Sequence, residues 1–337
     1  MSLFTRKVRN QQMTKGKLFK YLSYALGEVL LIVIGVLVAV KINSGVAASK
    51  NQTAVESTYL QLYKDLREDI EKSDQLLRHY ARKDSLIYEV MYDQVTAEDY
   101  LNDDRFHLRT IVTSYQLLII QDQSFKSLLA LNDKITVEQD TLLRALKQLY
   151  FDRKSSVDGN NEYMTRLVQK NIDWLKFNTD WLSNFYYLDQ PLTPTQLDFY
   201  QHSDVYKNLL TEYSQTGPGN HVRSVLAFRR YAKQVYRQLA KQLARTDTLL
   251  YDAADYRQFL GEYQTEETST EIFSKNNQLY MGGEEDYQQV IPLNDYSFTT
   301  EEGGFYYGIS DSTAQKYGIE LRYRGQKYFL KKETAQK

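Results

Sequence analysis

The chain has 337 residues, 42% of them apolar and 25% charged, and a formal net charge of −1. That balance gives no electrostatic footprint for nucleic acid, and the length accommodates two or three domains of ~100–200 residues. There is no cysteine, so a catalytic thiol, a disulfide framework and a thiolate metal site are excluded.

The first element is hydrophobic. Leu22–Val40, within Tyr21–Asn43, is an apolar run of 19 residues with one charge, Glu28. At ~1.5 Å per residue it covers ~28 Å, about the thickness of a bilayer core. Arg6, Lys7, Arg9, Lys15, Lys17 and Lys20 precede it with no acid among them, while Lys41 and Lys50 follow. The excess of positive charge predicts a cytoplasmic N-terminal segment over 1–20, a transmembrane helix over 21–43, and the remainder outside the cytoplasm. A cleaved signal peptide is the alternative, because Gly45, Val46, Ala47 and Ala48 resemble a small-residue cleavage site. The length of the run and Lys41 behind it favour a retained anchor.

Glu28 sits about 9 Å into this span by helix rise. A charge at mid-membrane costs ~2.5–3.5 kcal/mol on insertion scales, and less near an edge. At ~100° per residue, Gly35 and Ala39 fall within ~20° of Glu28 on either side. The three residues form a stripe whose small-xxx-small pair admits a second helix, a second copy or another protein. The competing reading is a carboxylate that snorkels or takes a proton, beside glycines placed by chance.

Beyond the span, neither Gly nor Pro occurs from Val46 to Asp158, nor from Asn160 to Gln190. Breakers gather at Pro191/Pro194 and Gly217-Pro218-Gly219, and eight of the 15 glycines lie from Gly261 onward. The pattern predicts a helical region and then a turn-rich one. Tyr59, Tyr63, Leu66, Ile70, Leu77 and Tyr80 recur at helical spacing, and nothing separates them from the membrane helix. Glu71–Asp84 reads as a solvated, charge-rich helix face. Arg105–Ile120 reads as a second, buried helix. Thr136 with Gln139 three residues on is a capping-box pattern, and Asn160 is placed to cap the next helix. Leu167, Trp174, Phe177, Trp181, Phe185 and Leu188 form a core stripe there. Val225, Phe228, Ala232, Val235 and Leu239 mark a last long helix from His221 to about Asp252. Amphipathic helices of this kind bury their stripes on one another, so 44–255 is expected to be an antiparallel bundle.

From Tyr256 the period becomes two. FLGEYQ, TEIFS, QLYMG, QQVIPL, YSFTT, FYYGIS, GIELRYR and KYFLKK are short aromatic and β-branched runs, and KNNQLY and YRGQKYF are hairpin-like. The tail, 256–337, is expected to be a small antiparallel β-domain, a sheet or barrel of six to eight strands. The fold class is α+β. Tyrosine, with 29 residues, suits half-wet helix faces and interfaces.

No phosphate-binding glycine loop, nucleophile elbow or zinc-binding His pair is present. His79, His107, His202 and His221 fall on separate predicted elements, and Asp104-x-x-His107 reads as a helix cap. No catalytic, cofactor-binding or metal-ligating residues are assigned.

Lys20, Tyr21, Tyr24, Ala25, Gly27, Glu28, Gly35, Ile42 and Asn43 form a pattern that resembles an uncharacterised family of single-pass membrane proteins of Bacteroidota. Ser124–Tyr150 is similar to a second family segment, with Ala130 and Asn132 where the family usually has Gly, and Ser44-Gly45 replaces its frequent Trp. Phe259–Lys332 loosely resembles the small β-domain that often follows β-lactamase-like serine hydrolase domains; the hydrolase domain is absent. The resemblance implies an inner-membrane anchor with the bulk of the chain in the periplasm, and no reaction. The expected function is a non-enzymatic binding or scaffolding module, with the bilayer and a protein partner or second copy as partners and no nucleic acid. A ligand sensor acting through a membrane partner is the alternative, and a hydrolase with a dispersed site a further one.

Overall fold

The computed structural model describes residues 4–102, 107–131, 133, 135, 139–183, 192–246, 253–265, 268–283, 286–311, 316–323 and 326–332. The chain divides into two compact units, Met1–Ser57 with Leu131–Lys134, and Thr58–Ala130 with Ile135–Lys337. One helix, α1 (Phe4–Met91), supplies the apolar run and continues into the second unit, as the absence of breakers leads one to expect. The side chains of residues 24–46 are exposed throughout, among them Leu26, Ile32 and Leu37, each 62% exposed. The helix is long and apolar enough to cross a membrane.

The second unit is α+β. Its helices are the rest of α1, α2 (Ala97–Leu101), α3 (Gln123–Leu129), α4 (Asp140–Lys147), α5 (Lys154–Asn178), α6 (Pro194–His202), α7 (Asp204–Ser214) and α8 (Val222–Gln242). Tyr59, Leu66, Ile70, Leu77 and Tyr80 are buried on α1, and Val225, Phe228, Ala232, Val235 and Leu239 on α8, so both sequence stripes are core. Other expectations fail in instructive ways. Arg105–Ile120 is not a helix where it is described: residues 107–113 form turns, and 114–122 are neither helix nor strand. This apolar strap is buried at Leu108, Ile111, Val112, Leu118 and Ile120; over 118–120, with Ile119 exposed, burial alternates as in an extended chain.

A buried strap outside regular structure must satisfy its backbone by other means. Side chains from the helices do so. Tyr80, Tyr206 and Tyr213 donate their hydroxyls to the carbonyls of Gln116, Leu108 and Ser114 at 3.0, 3.2 and 2.7 Å. Lys83 donates to Thr110 O and Ser114 Oγ at 2.9 and 2.8 Å. Asn161 donates to Leu118 O and accepts from Leu118 N, and Asn171 donates to Val112 O. Several of the abundant tyrosines thus act as backbone caps inside the bundle.

Asn160 does not cap a helix. It lies inside α5, donating to Ser156 O, because α4 passes into α5 through a π-helical turn, Gln148–Arg153. Gly217-Pro218-Gly219 does not break the chain either: a second π-turn, Gln215–His221, joins α7 to α8. A Cβ on Gly217 would stand 2.7 Å from Tyr80 Cε1, so the glycine there serves close packing. The aromatic stripe is only partly core. Leu167 and Trp181 are buried, Phe177 is 76% exposed, and α5 ends at Asn178 before Trp181. Phe185, Leu188 and Thr136 lie outside the described residues, and Gln139 makes no side-chain cap bond.

The eight sequence runs become β1 (Gly261–Gln264), β2 (Ser269–Lys275), β3 (Gln278–Gly282), β4 (Tyr287–Asn294), β5 (Ser297–Thr300), β6 (Phe305–Asp311), β7 (Lys316–Tyr323) and β8 (Gln326–Lys332). Each pairs antiparallel with the next, and Tyr263 of β1 pairs with Lys332 of β8, so of the two expected forms, sheet or barrel, the strands take the closed barrel. Asn276 and Asn277, at φ +51° and +58°, supply the tight turn with Lys275 opposite Gln278. The barrel is filled by Tyr263, Ile272, Leu279, Val290, Phe298 and Ile319, with Phe259 of the preceding 3₁₀ turn (Ala253–Phe259) packed among them.

Candidate functional site

Glu28, Gly35 and Ala39 all lie on α1 and are exposed, and a Cβ built on Gly35 would meet nothing within 4 Å. Their shared face follows from helical spacing. The bundle and barrel hold a different candidate, in a stretch the sequence presents as a solvated face.

Within Glu71–Asp84, Asp74 pairs with the buried Arg229 at 2.5 Å, Lys83 is 4% exposed, and Asp84 is half-buried. Asp84 lies seven residues after Leu77 and four after Tyr80, so helical geometry carries it along the apolar stripe to the barrel. There Tyr307 of β6 donates its hydroxyl to Ala81 O at 2.8 Å and stands 3.4 Å from Asp84 Oδ2. Arg322 of β7 donates to Glu320 Oε1 at 2.7 Å and to Ser85 Oγ at 2.9 Å. Its guanidinium lies over the rings of Tyr88 and Tyr307, 4.3 and 4.5 Å from their centroids. Hydrogen bonds and two cation–π contacts therefore hold the guanidinium in one place.

These residues floor a groove of about 350 Å³. One wall is the end of α7 and the π-turn, through Ser214, Pro218 and Asn220; the other is the β5–β6 hairpin, through Glu302, Gly303 and Gly304. Gly303 and Gly304 have φ of +106° and +82°, which favours glycine, and a Cβ on Gly304 would stand 2.9 Å from Leu321 Cδ1. A second hollow of about 290 Å³, bounded by Ile87, Tyr88, Met91 and Tyr92, shares Asp84, Ser214 and Arg322 with the first.

Burial pushes the Asp84 carboxyl up to about 7, although Arg322 and the Tyr307 hydroxyl favour its charged form. Burial likewise holds the Tyr307 phenol well above its ordinary value. Near neutral pH the floor thus offers a carboxyl poised between acid and carboxylate, next to a fixed cation. Such an arrangement can donate to one polar group and pair with an anionic one, and carboxyls shifted in this way gather at functional sites.

His79 and His221, which the sequence separates, each make an edge contact with Tyr80, at 5.1 and 5.3 Å between ring centroids. Burial lowers both to about 4, so both are neutral at ordinary pH. No group of three or more His, Asp or Glu among the described residues is arranged to hold a metal ion. Asp104 lies outside the described residues. Comparison with protein-family models, with curated proteins and with solved structures finds no match.

Proposed function

We propose that the chain is a membrane-anchored, non-enzymatic binding module that takes a small polar ligand into the groove between bundle and barrel. The observation that carries this reading is the groove itself. Bundle and barrel wall it, and its floor presents Asp84 beside an Arg322 already immobilised by Ser85, Glu320 and two rings. Preorganised polar groups in a concave site lower the cost of ordering a ligand. The positive charge ahead of the apolar run supports an inner-membrane location with the N-terminus cytoplasmic and the bundle and barrel periplasmic. The Lys-Tyr…Tyr-Ala-x-Gly-Glu pattern supports membership of the Bacteroidota family of anchored proteins. The stripe of Glu28, Gly35 and Ala39 is assigned to a partner helix in the bilayer, a second copy or another protein. A sensing role is the second reading, favoured because the apolar span and Asp84 belong to one helix, Phe4–Met91.

The test is thermal unfolding of the full chain in detergent against a panel of free amino acids, dipeptides, dicarboxylates and sugars. A compound that raises Tm for the native protein, and fails to do so for Asp84→Asn and Arg322→Met, supports the groove as the site. A panel without effect, or a shift that survives both substitutions, overturns it.

A further inference from the structure

A further cavity, of about 180 Å³, lies between α8 and the outside of the barrel. Arg230, Lys233 and Arg237 of α8 line it from one side, with Tyr280, Gln289 and Glu301 opposite. The three cations fall at positions i, i+3 and i+7, a single face of the helix. Arg230 and Arg237 are exposed at the rim, while Lys233 is 3% exposed.

Lys233 is the unusual member. Its Nζ makes one hydrogen bond, to Gln289 Oε1 at 3.2 Å. The acceptor is held in that orientation: Gln289 Nε2 donates to Gln278 Oε1, and Gln278 Nε2 donates to Asn277 O, both at 2.8 Å. An ammonium has three N–H groups. Among the described residues two of them have no protein acceptor, in a side chain almost completely removed from bulk water. Burying a charge is costly unless it is paired. The carboxylates near it do not supply that pairing, since Asp74 is bonded to Arg229 and Glu301 reaches Lys233 only through space. Burial, with Arg229 and Arg237 nearby, lowers Lys233 to about 8. The lining carries three cations against one carboxylate, an excess of two positive charges in a small polar hollow.

We infer that this cavity binds a phosphate dianion, either free or as the terminal group of a phosphate monoester, with Lys233 at its base and Arg230 and Arg237 at its mouth. The charge excess matches a dianion and not a monocarboxylate. At ~30 Å³ per water-sized group, the space holds roughly six such groups, enough for the five heavy atoms of phosphate. A bound oxyanion supplies acceptors to the two unused Lys233 N–H groups, and the arginines add charge-assisted bonds. This site is independent of the Asp84 groove, and neither assignment needs the other.

The experiment is equilibrium dialysis of the full chain in detergent against radiolabelled inorganic phosphate and, separately, radiolabelled glycerol 3-phosphate. One saturable equivalent per chain is expected for at least one probe. Tighter binding of inorganic phosphate identifies the free ion, and tighter binding of the ester identifies a monoester. Arg230→Gln and Arg237→Gln, both at exposed positions that leave the fold intact, each weaken binding by roughly 10- to 100-fold. Lys233→Met weakens it at least as much. Absence of saturable binding of both probes up to ~10 mM overturns the inference. Binding unchanged by the two arginine substitutions does the same, as does equal competition by acetate.

Discussion

Asp69 and Lys83 show how single side chains replace regular structure in this protein. Asp69 is fully buried, and its carboxylate accepts from Gln121 N at the end of the strap, at 3.2 Å for the nearer oxygen. Burial pushes it up to about 7, against the opposing effects of that bond and of Lys72. A group whose folded pKa is raised holds its proton more tightly in the folded state, so its contribution is complete below about pH 4 and is lost as pH rises to 7. Asp69→Asn keeps an acceptor for Gln121 and has no such loss. Its stability relative to the native protein is expected to rise by about 2–4 kcal/mol from pH 4 to pH 7, at ~1.4 kcal/mol per pKa unit. Urea unfolding at several pH values checks this, and parallel curves would show that Asp69 titrates normally. His79 and His221 act in the opposite sense in both proteins, costing stability as pH falls below 6.5 toward 4. Lys83→Met removes a buried donor serving two carbonyls and the Ser114 hydroxyl. An expected loss of about 2–4 kcal/mol in the same assay follows from leaving those acceptors unsatisfied.

Among the elements, the π-turn Gln215–His221 is the most informative. Gly-Pro-Gly is a helix-breaking signal in sequence, yet the chain keeps helical hydrogen bonding through it. The proline ring removes one donor, and a widened turn is a place where helices absorb that loss. The turn also brings Ser214 and Asn220 to the groove wall and seats Gly217 against Tyr80. Gly217→Ala forces a methyl into Tyr80, whose hydroxyl is tied to Gln116 O, so the ring has little freedom to yield. The expected cost is about 1–3 kcal/mol, the range for overpacking, measured by thermal or chemical unfolding. No loss of stability would mean that Tyr80 swings aside. Trp181→Ala tests an aromatic contact beyond the end of α5, where Trp181 packs on Phe199 and Tyr200. A loss of about 3–5 kcal/mol is expected for this buried side chain.

For the molecule as a whole, two features dominate. The exposed apolar helix over residues 24–46 is long and apolar enough to cross a membrane. Carbonate extraction of cells should leave the full-length chain in the membrane pellet, and release of a shorter product beginning near Ala48 would favour signal cleavage instead. The barrel closes on itself through β1 and β8 and carries its own core. A fragment from Ala253 onward is therefore expected to give strand-dominated circular dichroism. Separation exposes Tyr307 and Arg322, which the bundle engages through Ala81 and Ser85. A fragment without ordered structure would show that these contacts are required for the barrel to form.

Strong periodicity and turn chemistry made much of this architecture legible. The apolar stripes of α1 and α8, all eight strand runs, the Asn276-Asn277 turn and the membrane-length apolar run follow from residue patterns, because each depends on neighbours a few positions apart. The strap over 107–122, the helical passage through Gly217-Pro218-Gly219 and the closure of β1 on β8 do not. Each is decided by groups far away in the chain: tyrosine hydroxyls and asparagine amides that meet carbonyls, a ring that excludes a methyl, a last strand that finds the first. Both candidate sites belong to that second class. Asp84 and Arg322, 238 positions apart, and Lys233 and Gln289, 56 apart, read locally as ordinary surface polar residues. Only the packing of barrel against bundle removes water from them, and that desolvation makes their charges chemically consequential.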